Sequence, residues 1–331
     1  MDEPMNSGRI DRRRALAAAA ALCLGGRVAA QSAYPDRALR IIVPQPPGGG
    51  FDFVSRVLAE RLAKQLGQGV VVENRPGSGT LVGTDLAAKA APDGYTLLMG
   101  SISNLALNMG LYRNLPYESL RDFEPVGLAV SYSYTLMARK DLAQTTLAEL
   151  VAFARANPGK LTYASAGNGS GQHVLAAALW HLAGVELAHI PYRGAQAAYQ
   201  DLLGGRVDVF FDLSPTARVQ VDAGSVRALA VSGAERLAQH PQVPTIAETG
   251  VAKLELESWF GLFAPARTPP AILERLRVET ARVTASAEVA DIFGKAGGKP
   301  LALSDAATRA LVQRDVERWS RLVRELDLKP E

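Results

Sequence analysis

The stretch from Arg40 to Arg56 reads Arg-Ile-Ile-Val-Pro-Gln-Pro-Pro-Gly-Gly-Gly-Phe-Asp-Phe-Val-Ser-Arg, and it decides the fold. It begins with a short β-branched apolar run, which is typical of a buried strand. From Asp52 onward a helix is predicted, because apolar residues recur at helical spacing: Val54, Val57, Leu58, Leu62 and Leu66. The glycines between them, Gly48, Gly49 and Gly50, expose backbone N–H groups at a helix N-terminus, which suits a carboxylate or phosphate. A tight strand-to-helix turn without a ligand is the alternative.

Two further strand-to-helix junctions have the same composition. Val70 to Glu73 leads through a loop containing Ser78, Gly79 and Thr80 into a predicted helix from Leu81 to Ala90. Leu161 to Ala164 leads through a loop containing Ser165, Gly167, Asn168 and Gly169 into a predicted helix from Gln172 to Leu182. Because loops that follow parallel strands meet at one edge of a sheet, we expect the three helix N-termini to converge on one anion site.

Four polar residues near these junctions each have two interpretations. Asp52 is either the N-cap of its helix or an acceptor for a ligand. Asp212 follows the predicted strand Val207 to Phe211, where it either contacts a ligand or forms an ion pair with Arg193 or Arg218. His173 either packs beneath its loop or contacts the ligand, and packing is favoured. Arg193 either binds an anionic ligand or is a solvated loop residue, and it ranks below the glycine loops.

Two parts of the chain each show a series of alternating strand and helix patterns, which predicts two βαβ series. Extended segments near 128–135 and 254–262 suggest that the chain leaves a first domain, builds a second and returns. The predicted bounds are 31–131 with 255–331 for domain 1, and 132–254 for domain 2. A helical tail from Ala271 to Leu326 should pack on domain 1, and a ligand should bind between the domains.

The first thirty residues predict an export signal. Arg12 to Arg14 precede a short apolar run, and Val28-Ala29-Ala30 provides small residues for cleavage near Ala30. The general and twin-arginine export routes both remain open. Without residues 1–30, which contain five Arg and three acidic residues, 31 basic and 30 acidic residues remain from 36 and 33, a net charge of +1. That balance argues against a nucleic-acid partner, and no later apolar stretch is long enough to insert into a membrane.

The usual signals of enzymes and cofactor proteins are missing from the sequence. It has no Gly-x-Ser-x-Gly elbow, no Ser-x-x-Lys and no Gly-x-x-x-x-Gly-Lys loop. His173 and His181 are eight residues apart, a helical rise of about 12 Å at ~1.5 Å per residue, which is too far for one metal ion. Gly77 to Gly83 only approximates a dinucleotide fingerprint. We therefore predict no catalytic residues, no metal and no cofactor.

Six ordered motifs resemble those of the periplasmic substrate-binding receptors of tripartite tricarboxylate transporters, the Bug proteins. In chain order they are Pro47-Gly48-Gly49-Gly50-Phe51-Asp52, Asn74-Arg75-Pro76-Gly77, Pro92-Asp93-Gly94-Tyr95-Thr96-Leu97-Leu98, Tyr163-x-Ser165-x-Gly167-x-Gly169-Ser170 with His173, Pro191-Tyr192-Arg193-Gly194, and Asp201-Leu202-Leu203-Gly204-Gly205. The resemblance covers nearly all of the chain after the signal. Thr80 stands where the family usually has a glycine, and Ala177 where an acidic residue often follows the histidine.

The resemblance implies an α/β, two-domain periplasmic binding protein of the Venus flytrap type that closes on a small carboxylated solute. It also implies delivery to the membrane subunits of a tripartite transporter, and we expect a monomer in the periplasm. Side chains of Ser101, Ser103, Ser165 and Asp212 become candidates for selecting the ligand. The alternatives are an exported sensor or scavenger without a transport role and an exported α/β enzyme.

Overall fold

The computed structural model of the chain describes residues 34–327. The predicted signal and its cleavage site near Ala30 therefore lie outside the described residues. From Arg37 onward the chain forms one compact unit. None of its described helices is long and apolar enough to cross a membrane.

Ten strands and eleven helices make up the described chain. The strands are β1 Leu39–Val43, β2 Val70–Asn74, β3 Thr96–Ser101, β4 Phe123–Arg139, β5 Thr162–Ser165, β6 Ala188–Pro191, β7 Val209–Leu213, β8 Val226–Val231, β9 Glu257–Pro265 and β10 Gly298–Pro300. The helices are α1 Gly50–Leu66, α2 Leu81–Ala88, α3 Asn108–Leu111, α4 Ser119–Asp122, α5 Leu147–Ala156, α6 Gly171–Ala183, α7 Ala195–Leu203, α8 Ser214–Asp222, α9 Pro270–Thr284, α10 Ala287–Lys295 and α11 Asp305–Glu325. Ser78–Thr80 forms a 3₁₀ turn, and Ser103–Leu107 a π-helical turn.

The strands hydrogen-bond in the order β2-β1-β3-β9-β4-β7-β5-β6, and β8 and β10 also pair with β4. β1 is parallel to β2 and β3, and β5 is parallel to β6 and β7. The 17-residue β4 joins these two parallel groups, since it pairs with β9 up to Ser133 and with β7 from Tyr134. We call β1, β2, β3, β9, β10 and the start of β4, together with the loops and helices that connect and cover them, the first half. The remaining strands, with their loops and helices, are the second half. The predicted α/β architecture with two βαβ series is confirmed.

The first helix forms as its apolar pattern predicts. Val54, Leu58 and Leu62 are 0–1% exposed on the face of α1 that packs on the sheet. Gly67 ends the helix in the left-handed conformation, and its N–H donates to the carbonyl of Ala63. The helix begins at Gly50, two residues before the predicted start at Asp52, because the extended backbone of Gly49 is the N-cap.

The C-terminal helices pack on the first half of the sheet, as predicted. α9 lies against α1 and β4, and α11 lies against α3, β4 and the π-helical turn. The buried indole of Trp259 on β9 donates to the Asp315 carboxylate of α11 at 2.8 Å. Trp319 of α11 is fully buried. These contacts make the tail part of the first half rather than a separate module.

Candidate functional site

Asp52 joins the first two glycine-rich loops. Its carboxylate accepts from the Gly48 N–H at 3.1 Å, the Arg56 side chain at 2.8 Å and the Asn74 amide at 3.1 Å. Burial raises the pKa of Asp52, but the hydrogen bonds from Arg56, Gly48 and Asn74 outweigh it and hold that pKa below its ordinary value. The N-cap interpretation of Asp52 is wrong, because Gly49 is the N-cap of α1. Asp52 lies in the first turn of α1 and satisfies the backbone of the preceding loop.

The turn at Ser78–Thr80 has an unusual backbone. Ser78, Gly79 and Thr80 have φ values of 44°, 59° and 90°, so two residues with a Cβ adopt the left-handed region beside a glycine. Such residues cost roughly 1–2 kcal/mol each and persist where the surrounding structure fixes them. The first N–H groups of a helical turn have no acceptor within the turn, so they need an acceptor from outside it.

The strained turn is fixed from below by Asn108 of α3. The Asn108 amide donates to the Thr80 hydroxyl at 2.9 Å and to the Gly79 carbonyl at 3.4 Å. The Thr84 hydroxyl donates to the Thr80 carbonyl at 2.8 Å. All of these polar groups except Gly79 belong to buried residues, which makes the hydrogen bonds costly to lose.

At the third junction, most N–H groups near the helix N-terminus already donate hydrogen bonds within the protein. The N–H of Gly171, the first residue of α6, donates to the Ser103 hydroxyl of the first half at 3.1 Å. The His173 N–H donates to the N-cap hydroxyl of Ser170, and the Gly169 N–H donates to Nδ1 of His173. The favoured interpretation of His173, packing beneath its loop, matches this geometry. Of the three junctions, this one leaves the fewest N–H groups for an anion.

Asp212 lies inside β7 rather than after a strand, and it is 1% exposed. The Gln172 amide donates to it at 3.0 Å and the Tyr199 hydroxyl at 2.9 Å, and the Thr216 hydroxyl also donates to it. Burial raises the pKa of the Asp212 carboxyl above its ordinary value, although the hydrogen bonds from Thr216, Gln172 and Tyr199 oppose that shift. The alternative interpretation of Asp212, an ion pair with Arg193 or Arg218, is wrong, because Arg218 pairs with Asp222 and the donors to Asp212 are neutral.

A cavity of about 750 Å³ lies where the two halves meet. The first half lines it with Pro44 to Pro46, Pro76 to Leu81 and Tyr112, and the second half with Ala166 to Asn168 and Pro191 to Gly194. The halves approach closely at its edge, since the Gln196 amide of α7 donates to the Gly48 carbonyl at 2.8 Å. Among the lining residues Arg193 alone carries a charged side chain. It is exposed and forms no ion pair with the described residues.

The predicted site residues fall into three groups around this cavity. Those that line it are Ser78, Gly79, Thr80, Gly167 and Asn168. Gly48, Gly49 and Asp52 line a neighbouring cavity of about 360 Å³ that also reaches Pro215 and Thr216. Those that line neither cavity are Gly50, Ser101, Ser103, Ser165, Gly169 and Asp212, each of which is buried.

The buried serines support loops through hydrogen bonds. Ser101 accepts from the Ser103 N–H at 3.1 Å, and Ser165 accepts from the Gly167 N–H at 3.2 Å. Sequence reasoning missed Gln45, Tyr112 and Tyr192 as lining residues. Tyr192 stood within a quoted motif, whereas Tyr112 follows α3, a helix too short to be recognised from periodicity.

A second large cavity, of about 620 Å³, lies wholly within the second half. Its two charged lining residues are already engaged. Arg227 donates to the carbonyls of Leu142 and Gln144, and Glu248 accepts from Arg236 at 2.8 Å. The described residues contain no cluster of three or more His, Cys, Asp or Glu side chains arranged to hold a metal ion. The cavity between the halves therefore remains the candidate ligand site.

Two α/β halves joined by shared strands, with a cavity between them, are the architecture of a solute-binding protein. The chain belongs to the tripartite tricarboxylate transporter receptor family, whose family model matches residues 54–328. This assignment confirms the resemblance seen in the sequence motifs.

Similar proteins agree with that assignment. The chain is 40% identical over 327 residues to the UPF0065 protein in the tcbD-tcbE intergenic region of Pseudomonas sp. strain P51, with 96% of each chain covered. Rpa4515 of R. palustris, solved with adipate, superposes with a TM-score of 0.87 at 32% identity, covering 90% of this chain and all of that one. MatC of Rhodopseudomonas palustris, solved with bound malate, gives 0.83 at 31% identity, with 88% and 100% covered. The periplasmic binding protein BugD gives 0.85 at 33% identity, with 90% and 100% covered.

Proposed function

We propose that this receptor binds a small carboxylate-bearing solute in the cavity of about 750 Å³ between its halves. The observation that carries this proposal is the strained Ser78–Thr80 turn at the cavity wall, which offers N–H groups to an anion. Rpa4515 and MatC, two proteins of similar structure, were solved with the dicarboxylates adipate and malate. A carboxylate therefore fits both the chemistry of the wall and the ligands of similar proteins.

The binding mode divides the predicted glycine loops into two roles. The Gly48 N–H already donates to Asp52, so the first loop acts mainly by holding the second through Asn74. N–H groups of Ser78, Gly79 and Thr80 then hold the carboxylate. Gly167 and Asn168 cover it from the second half, where Ser165 and Asp212 support the loop from behind. Ser101 and Ser103 give the corresponding support from the first half.

The two halves act as domains that close on the ligand. We propose the bounds 31–131 with 255–331 for domain 1, and 132–254 for domain 2. They are supported by the change of partner along β4 between Ser133 and Tyr134. A ligand that contacts Gly79 and Asn168 together binds the closed state better, so it shifts the population toward closure.

The family assignment supports a place for this receptor in transport. We propose that the mature protein is a periplasmic monomer that delivers its solute to the membrane subunits of a tripartite transporter and catalyses no reaction. The sequence of residues 1–30 supports export with cleavage near Ala30. Closure provides the signal by which membrane subunits would distinguish the loaded receptor from the empty one.

A thermal-shift screen of carboxylates tests the proposed ligand class. At a concentration 100 times its Kd, a ligand stabilises the folded state by about 2.7 kcal/mol, which raises Tm by several degrees. We expect at least one compound in a panel of adipate, malate and other small dicarboxylates and aromatic acids to do so. Matched neutral alcohols serve as controls. If no carboxylate raises Tm, the proposed ligand class is contradicted.

Arg193→Gln should weaken binding of a dicarboxylate about fivefold. The guanidinium is exposed, so its interaction with a second carboxylate is worth roughly 1 kcal/mol and is reduced by salt. Calorimetry at low and high ionic strength measures the effect. Arg236→Gln is the matched control, since it removes the same charge from a residue outside the cavity lining. Equal affinities of Arg193→Gln and wild type at low salt would remove Arg193 from the site.

A further inference from the structure

Three aromatic rings stack beneath the loop Ser165–Ser170. The Tyr163 ring lies 4.7 Å from the His189 ring at an interplanar angle of 18°. The His189 ring lies 4.3 Å from the His173 ring at 8°. These residues belong to β5, β6 and α6, so the stack joins the three elements that surround the loop.

Each imidazole of the pair forms a hydrogen bond with the loop. Nδ1 of His173 accepts from the Gly169 N–H at 3.2 Å, so its proton is on Nε2. Nε2 of His189 lies 2.8 Å from the Ser165 hydroxyl oxygen, which accepts from the Gly167 N–H. The two rings therefore fix both ends of the segment that contributes Gly167 and Asn168 to the cavity wall.

Both rings are neutral at ordinary pH. Burial lowers the pKa of His173 to about 4. Burial, together with repulsion from His173, lowers the pKa of His189 to about 3. Other titratable side chains around this loop are Tyr163 in the stack, Tyr112, whose hydroxyl lies 3.5 Å from the Asn168 carbonyl, Tyr134 beside Gly171, and Tyr192 and Arg193 in the cavity lining. Among the described residues, the one charged group that contributes to either histidine pKa is the neighbouring ring, because a charge on His173 repels a charge on His189.

We propose that His173 and His189 are positioning residues that hold the Ser165–Ser170 loop in its ligand-binding shape, and that protonation of His173 releases the loop. The claim that this loop shape serves ligand binding rests on the proposed function. The hydrogen bonds between the two rings and the loop do not depend on it. A proton on Nδ1 would point at the Gly169 N–H, so a hydrogen bond becomes a repulsive contact. Two stacked cations at 4.3 Å would repel each other, so the second ring resists protonation.

The sign of the pH effect follows from the lowered pKa values. An unfolded histidine binds a proton near pH 6.5, whereas folded His173 binds one only near pH 4. The unfolded chain therefore holds more protons between these values, and folding stability decreases as the pH falls through this window. Loop release and loss of ligand affinity follow at its lower end, near pH 4.

Amide hydrogen exchange at Gly169 tests the loop role in the ligand-free protein. We expect His173→Phe, which keeps a flat ring but has no acceptor, to lower the protection factor of this amide at neutral pH by at least tenfold. His173→Asn places an amide oxygen near the position of Nδ1 and should retain most of the protection. His181→Phe, an exposed residue on the same helix, is the matched control. If His173→Phe protects Gly169 as wild type does, the proposal is overturned.

Imidazole ¹⁵N shifts of the wild-type protein give a second test that needs no variant. We expect Nδ1 of His173 to stay unprotonated from pH 7 down to about pH 4, and a protonated Nδ1 at pH 7 would overturn the proposal. Adipate and malate affinities are then measured from pH 7 to 4 for wild type and for His173→Asn. The ligand carboxylates also become protonated near pH 4, so both proteins lose affinity there, and wild type should lose several-fold more than His173→Asn. Equal losses would contradict release of the loop by protonation of His173. If wild type binds neither probe, the proposed ligand class is contradicted, and the exchange and ¹⁵N results still decide the loop role.

Discussion

Gly79→Ala should remove detectable ligand binding while the protein remains folded. A Cβ at Gly79 would overlap the Asn168 carbonyl oxygen and lie 3.2 Å from the Tyr112 hydroxyl. Asn168 belongs to the second half and Tyr112 to the first, so the added methyl group would hold the halves apart at the cavity. A loss of at least about 100-fold in affinity, roughly 2.7 kcal/mol, is expected because the ligand contacts both halves only when they meet.

The matched control is Gly67→Ala. Gly67 has a φ of 67°, close to the 59° of Gly79, but an added Cβ there meets no atom within 4 Å. Both variants carry a similar backbone strain of about 1–2 kcal/mol, and only Gly79→Ala adds the overlap. Calorimetry measures affinity and thermal unfolding measures stability. Equal affinities of the two variants would show that the approach of Gly79 to Asn168 has no part in binding.

The elements with long periodic patterns were predictable from the sequence. The apolar face of α1 and the alternation of strands and helices follow from local hydrophobic spacing, which one sequence contains in full. The change of partner at Ser133 and Tyr134 of β4 was not visible in this way. A continuous apolar strand has the same sequence pattern whether it pairs with one set of strands or joins two sets. Only the tertiary structure therefore shows the change of partner along β4.

The candidate site was predictable in its loops but not in its side chains. The turn Ser78–Thr80, with three consecutive positive φ values, is hydrogen-bonded by Asn108, which is 28 residues away from Thr80 in sequence. Asp212 looked free to contact a ligand because its donors Gln172, Tyr199 and Thr216 lie in three different helices. Hydrogen-bond partners of this kind are set by tertiary structure and have no local pattern.

Replacing the ligand carboxylate with its amide should abolish binding. An amide keeps the size and planarity of the acid but loses the charge that favours a helix N-terminus. Its NH₂ group would also face N–H donors of the Ser78–Thr80 turn, which leaves donors without acceptors. Hydrogen bonds to a charged group are worth about 1.5–3 kcal/mol each, so two lost bonds correspond to at least about 100-fold in affinity.

Calorimetric titration of wild-type protein with an acid that raises its Tm, and with the corresponding amide, tests the central claim most directly. The claim is that backbone N–H groups at the cavity between the halves recognise a carboxylate. It predicts measurable heat and saturation for the acid, and no saturable heat for the amide at about ten times the Kd of the acid. An amide that binds within threefold of the acid would contradict it.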